Sequence, residues 1–98
     1  MMLKFRTGAR SEYLEAFAWY EERRTGLGLE FEAEFEKLIE RVTKTPRRFA
    51  PFDSEIRKAR VARFPYFVYF AELAGRIEIL AVIHCKRNPA WVLKRLQR

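Results

Sequence analysis

Two runs of residues with helical spacing, separated by a four-residue stretch that holds two glycines, constrain this 98-residue chain more than any other feature in it. In the second run Phe31, Phe35, Leu38 and Val42 fall at i, i+4, i+7 and i+11, with Ile39 beside them. This spacing predicts an amphipathic helix from about Leu29 to Thr43, ended by Pro46. In the first run Tyr13, Phe17 and Tyr20 fall at i, i+4 and i+7, with Leu14 and Ala18 alongside. A helix from about Gly8 to Arg24 follows, with Thr7 as its N-cap and Glu12, Glu15, Glu22 and Arg23 on its outer side. Thr25-Gly26-Leu27-Gly28 supplies the stop and the tight turn, so the two helices should form an antiparallel hairpin. Each has an apolar stripe that must be buried against another layer.

The remaining segments read as sheet. Leu3-Lys4-Phe5-Arg6 alternates and suits a short first strand. Arg47 to Glu55, with Pro51 and no period, reads as a loop. Ile56 to Phe64 is compatible with a strand that is basic on both faces, and Pro65 marks an edge or a bend. Phe67 to Leu73 is aromatic and β-branched, and Ala74-Gly75 is a hairpin turn. From Arg76 to Cys85 the chain is almost continuously apolar, the pattern of a strand buried on both faces. Asn88-Pro89 breaks it, and Trp91 to Arg98 is a short basic tail compatible with helix. The expected order is β-α-α-β-β-β: a small α+β domain spanning residues 1–98, its helical hairpin packed on one face of a mostly antiparallel sheet. The opposite face and the strand ends near 57–63 and 84–87 are left to carry the basic groups.

Composition narrows the function classes. The one cysteine, Cys85, excludes an internal disulfide and any multi-cysteine zinc site, and the one histidine, His84, excludes sites needing two imidazoles. No apolar run approaches the length of a membrane span, and the first residues lack a secretory pattern, so the expected location is cytoplasmic. The net charge of +7 is unevenly spread. Residues 11–44 carry nine Glu against five cations, whereas residues 45–98 carry twelve Lys and Arg against four carboxylates. Such a cationic half attracts a polyanion or an acidic partner. Arg57, Lys58, Arg60 and Arg63 lie in one segment and Lys86 and Arg87 at the end of another; if these strands are neighbours, the six charges make one patch. That patch would suit an acidic protein tail or nucleic-acid phosphates.

His84 is the one side chain whose ordinary pKa lies near neutrality, and three roles stay open for it: a main-chain hydrogen bond at a strand end, a partner contact, or proton transfer. Phe17, Phe31 and Phe35 read as core. Trp19 and Tyr20, at the edge of the first helix's stripe, could line a groove that a partner covers. Asp53, Ser54 and His84 hold the elements of a hydrolase triad, but no nucleophile-elbow glycines accompany them. The glutamates of residues 11–44 read as a solvated helix exterior and not as a metal site.

The segment Glu15-Ala16-Phe17-Ala18-Trp19-Tyr20-Glu21-Glu22, with Gly26-Leu27-Gly28 and Phe31 after it, resembles the helical hairpin of the RelE/ParE toxin superfamily. Ile56 to Phe70, with its Arg63-Phe64-Pro65-Tyr66, and Ile79 to Pro89, with His84-Cys85-Lys86-Arg87-Asn88-Pro89 and then Trp91, resemble its strands in the same order. The resemblance implies the toxin of a type II toxin–antitoxin pair (a plasmid stabilisation protein) with a cognate antitoxin as partner and no cofactor or metal. RelE-like members of the superfamily cut mRNA on the ribosome; ParE-like members poison DNA gyrase. A ribonuclease needs a base, an acid and cations on the phosphate. RelE-like enzymes place an arginine just before the middle strand, a basic residue after the last strand and a Tyr or His near the C-terminus. Here Tyr66 stands at the first position, Arg87 at the second, and the tail has no tyrosine. The resemblance therefore implies the ParE-like branch, with the RelE-like endoribonuclease, using His84 and Arg87, as the alternative. Arg57, Arg60, Arg63, His84, Lys86, Arg87 and Trp91, with Trp19 and Tyr20, are the expected target or antitoxin contacts.

Overall fold

A computed structural model describes residues 2–97; Met1 and Arg98, the last residue of the basic tail, lie outside the described residues. The chain runs β1 (Met2–Phe5), α1 (Thr7–Arg23), α2 (Leu27–Lys44), a short 3-10 turn (Pro46–Arg48), β2 (Ala50–Asp53), β3 (Ile56–Arg60), β4 (Tyr66–Leu73), β5 (Arg76–His84) and α3 (Pro89–Leu96). The strands form one sheet in the order β1-β5-β4-β3-β2. β1 lies parallel to β5, and every other pair is antiparallel. The α+β order expected from the pattern is present, extended by one strand and one helix.

The hairpin forms where the glycines place it. Gly26 has φ +91°, a left-handed conformation that glycine adopts without strain. Gly28 lies inside α2 rather than in the turn. Glu21, at the end of α1, takes the role of a cap for α2: its two carboxylate oxygens accept the N–H groups of Gly26 (2.8 Å) and Gly28 (2.9 Å). A carboxylate on the first free N–H groups of a helix also complements its dipole. Helix α2 buries the stripe its spacing predicts, Phe31, Phe35, Leu38 and Val42. Helix α1 differs from expectation. It buries Ala9, Ala16 and Tyr20, leaves Tyr13 and Phe17 half-buried, and exposes Leu14 and Ala18. The small side chains let α1 approach β5 closely, and that rotates the stripe. Thr7 is its first helical residue and Arg6 holds the N-cap position, with no side-chain cap bond.

The segment read as a loop contains β2, an edge strand pairing Ala50 with Lys58 and Pro51 with Arg57. An edge tolerates Pro51 because one side of the strand needs no N–H. β3 ends at Arg60, short of Phe64. Residues 61–65 turn instead, with Arg63 at φ +70° and the Val61 N–H on the Tyr66 carbonyl at 2.9 Å.

Two cores result. Under the hairpin, Phe31 sits within ring contact of Tyr13, Tyr20, Phe35, Phe64 and Tyr66, over Val68, Phe70, Ile77, Ile79 and Val82. On the opposite face, α3 lays Val92 and Leu96 against Tyr69, Leu80, Ala81 and Ile83. That face was expected to carry basic groups; where α3 covers it, it is apolar instead. Asn88 caps α3 through its side-chain oxygen on the Ala90 N–H (2.7 Å), and Pro89 occupies the first turn, where its missing N–H costs nothing. A bulge in β5 serves both cores: Tyr69 pairs with Ala81 and Phe70 with Ile79, so Leu80 is the extra residue. Leu80 and Ala81 both turn to the α3 side, while Ile79 and Val82 face the hairpin.

Candidate functional site

The six cations expected to form one patch do not. β4 lies between β3 and β5, so those two strands do not pair, and their basic segments approach each other where Arg60 reaches the turn after β5. Alternation then splits β3 itself. Arg57 faces the hairpin side and donates to the Phe49 carbonyl at 2.8 Å. Lys58 faces the other side, its ammonium 4.6 Å from the Phe67 ring centre and 5.8 Å from that of Phe52. Arg60, also on that side, reaches the Cys85 sulfur at 3.4 Å. Arg63 is engaged by the chain's own glutamates, at 2.8 Å from Glu30 and 3.5 Å from Glu34 on α2. The Arg63 hydrogen bond, with a second from Arg24, holds the Glu30 carboxyl below its ordinary range. Arg57 and Arg63 therefore leave the expected site. Lys86 remains exposed in the turn after β5.

What the fold brings together is the other half of the expectation. Trp19, Tyr20, His84, Arg87 and Trp91 line one groove of ≈ 890 Å³ between α1, α3 and the end of β5, joined there by Tyr66. Trp19 (49% exposed) and Trp91 (42% exposed) are its rims. Each carries a guanidinium over its ring, Arg23 at 4.1 Å from Trp19 and Arg87 at 4.3 Å from Trp91. A guanidinium over an indole is attracted to the ring face, and of the two Arg87 also lines the groove.

His84 Nδ1 accepts the Lys86 N–H at 3.1 Å, a contact that leaves Nε2 to carry the proton of the neutral ring. Its ring lies edge-on to Tyr66, centroids 5.3 Å apart. Burial, with the Glu15 carboxylate nearby, pushes the Tyr66 hydroxyl above its ordinary pKa. Burial does the same for Tyr20, helped by Tyr66 and Cys85. Both phenols therefore stay protonated at neutral pH and offer a donor on an apolar ring rather than a base.

Two further residues shape the groove: Arg95, which the sequence did not single out, and Glu12, which was expected on the solvated outer side of the first helix and instead turns inward to the end of β5, where a main-chain N–H and a guanidinium need a carboxylate. Glu12 on α1 accepts from Arg95 of α3 through both oxygens, Nε on Oε2 and Nη2 on Oε1, each at 3.0 Å. The same Oε1 accepts the Val82 N–H of β5 at 3.0 Å. This clasp ties α1, α3 and β5 together, and both of its residues line the groove. Local spacing carries no signal of it, since Glu12 and Arg95 lie 83 residues apart. Asp53 and Ser54 sit at the β2–β3 turn, on the far edge of the sheet from β5 and His84, so the triad reading has no geometry. No described helix is long and apolar enough to cross a membrane.

The fold is similar to that of a chain described as "Chromosomal ParDE TA system from P. aeruginosa", with a TM-score of 0.77 at 16% identity, covering 88% of this chain and 97% of that one. Among curated proteins none matches the chain in sequence. The sequence profile of a family described as "ParE toxin of type II toxin-antitoxin system, parDE" matches residues 3–89, which take in both helices of the hairpin, the five strands apart from Met2 of β1, and the first residue of α3. The chain belongs to the ParE toxins of type II toxin–antitoxin systems.

Proposed function

We propose that this toxin acts in the cytoplasm by binding and poisoning DNA gyrase, without chemistry of its own and without a cofactor, and that its antitoxin neutralises it by covering the groove. The observation that carries this reading is the make-up of the groove: two half-exposed tryptophans and two protonated tyrosines around a single imidazole. A surface like that gains affinity by burying aromatic area. Proton transfer from a ribose hydroxyl would need a base, an acid and phosphate-binding cations converging on one point. Here one His84 nitrogen is held by the main chain, Arg87 lies on Trp91, and Tyr66 stands where the alternative, a ribosome-dependent endoribonuclease, would need a cation. Partner recognition also suits the charge of +7, which favours an acidic segment that orders on binding.

A supercoiling assay with purified gyrase and the whole chain tests the reading. The expected result is loss of supercoiling or accumulation of cleaved DNA, with mRNA intact in cells expressing the toxin. Fresh cuts in ribosome-bound mRNA that disappear on His84→Ala or Arg87→Ala would overturn it and establish the nuclease. Gyrase that is unaffected at saturating toxin would also overturn it.

A further inference from the structure

β1 covers only part of the edge of β5. Its parallel register runs from Met2 opposite Arg76 to Phe5 opposite Ile79, and it closes with the Arg6 N–H on the Ile79 carbonyl at 3.0 Å. β5 continues to His84. The bulge at Leu80 changes which residues direct their main chain outward. Beyond it they are Val82 and His84. The Val82 N–H goes to the Glu12 side chain and not to a strand. Tyr66, opposite His84, gives its carbonyl to Val61 on the β3 side, so the Tyr66–His84 pair exchanges no ladder bonds and His84 faces the edge.

Two of the four outward groups are engaged within the chain. Glu12 takes the Val82 N–H, and the Arg87 N–H reaches the His84 carbonyl at 3.1 Å. The Val82 carbonyl and the His84 N–H remain. An antiparallel neighbour bonds both groups of one residue, and Val82 and His84 each have one group occupied. A parallel neighbour instead sets one of its residues between them, with its N–H on the first and its carbonyl on the second. The remaining pair thus fits a parallel strand, the orientation that β1 already has on this edge.

The surroundings define what such a strand would be. α1 presents Trp19 on one side of the edge and α3 presents Trp91 on the other, both half-exposed. The Glu12–Arg95 clasp lines the same groove. A strand parallel to β5 runs toward His84, so the residues that follow it meet Arg87 and the exposed Lys86.

We propose that the antitoxin adds an extended segment to β5 at Val82–His84, parallel to it, with apolar side chains against Trp19 and Trp91 and acidic residues just after the strand. This rests on the toxin–antitoxin reading above and adds to it the edge, the direction and the sequence pattern of the partner. The probe is the protein encoded by the reading frame adjoining this one, bound to the whole 15N-labelled toxin. The expected result is that the His84 amide exchanges on the order of 100-fold more slowly in the complex. The Val82 amide, already bonded to Glu12, should change far less. Contacts between the two chains seen by NMR should follow a parallel register. Trp19→Ala and Trp91→Ala should each weaken binding by ~10–100-fold, with thermal stability of the free toxin nearly unchanged. A complex that forms and restores growth while His84 exchange is unaltered, or whose register is antiparallel, overturns the added strand and leaves the toxin–antitoxin pair standing. If the adjoining product neither binds nor restores growth, the pair reading falls, and the strand proposal with it.

Discussion

Replacing Glu12 should destabilise the protein more than replacing the arginine it binds. Its carboxylate accepts three hydrogen bonds, two from Arg95 and one from the Val82 N–H, each at 3.0 Å. Both side chains of the pair are 21% exposed, so solvent screens the charges only in part. A hydrogen bond to a charged group contributes about 1.5–3 kcal/mol, and a buried main-chain donor left without a partner costs about 1–3 kcal/mol. Glu12→Ala removes the bidentate pair and also strands the Val82 N–H, for a loss of about 2–4 kcal/mol. Arg95→Ala removes the same pair but leaves Glu12 on Val82, for a loss of about 1–2 kcal/mol. In a domain of this size each kcal/mol moves Tm by about 4–8 °C. Calorimetry of the two single variants and the double variant separates the effects. Glu12→Ala should lower Tm by about 10–20 °C, roughly twice the effect of Arg95→Ala, and the double variant should be no worse than Glu12→Ala alone. Equal losses in the two single variants, or strictly additive ones, would refute the shared clasp. Gly8→Ala gives an independent check, because a Cβ at Gly8 would overlap the Arg95 guanidinium. Despite alanine's higher helix propensity, this substitution should speed amide exchange in α3 rather than slow it.

Other outcomes follow from single features. Phe31 is fully buried among five aromatic rings, so Phe31→Ala should cost about 3–5 kcal/mol in urea unfolding through the cavity it leaves. The hydrogen bond from Arg6 to the buried Glu78, with a second from Arg76, lowers that carboxyl's pKa on folding. A lowered folded pKa adds stability that is complete above the unfolded value and is lost as pH falls through the folded one. Wild type should therefore lose its advantage over Glu78→Gln on acidification below about pH 4, as followed by Tm against pH. Arg63 has a left-handed backbone, φ +70°, and its ion pairs lie at the surface. Arg63→Gly should accordingly melt at or above Arg63→Ala, although glycine loosens the unfolded chain; a clearly lower Tm for the glycine variant would mean that the turn is not strained there.

Helix α2 was legible from its residues alone because Phe31, Phe35, Leu38 and Val42 repeat with the helix period, and a stripe that wide must be buried wherever the helix docks. The same holds for β5, whose unbroken apolar run implies cover on both faces before either cover is known. The likeness to the toxin superfamily was equally legible, in the order and spacing of its short segments. β2 was hidden because an edge strand needs neither alternation nor a free N–H at every position, and Pro51 there reads as loop. The rotation of α1 was hidden because Ala9 and Ala16 carry almost no hydropathic signal, yet their small size decides how closely the helix sits on the sheet. The charge patch failed for a topological reason. Local sequence specifies that β3 and β5 are strands but not that β4 lies between them, and alternation along β3, with the turn at Arg63, then sends Arg57, Arg60 and Arg63 to different surroundings. The groove is likewise a product of tertiary structure. Trp19, His84 and Trp91 meet only because α1 and α3 flank the same strand edge from opposite sides, held by a carboxylate and a guanidinium from the two ends of the chain. Periodicity records what each segment must bury; which segments then face one another is set by long-range pairing and packing, of which neighbouring residues carry no trace.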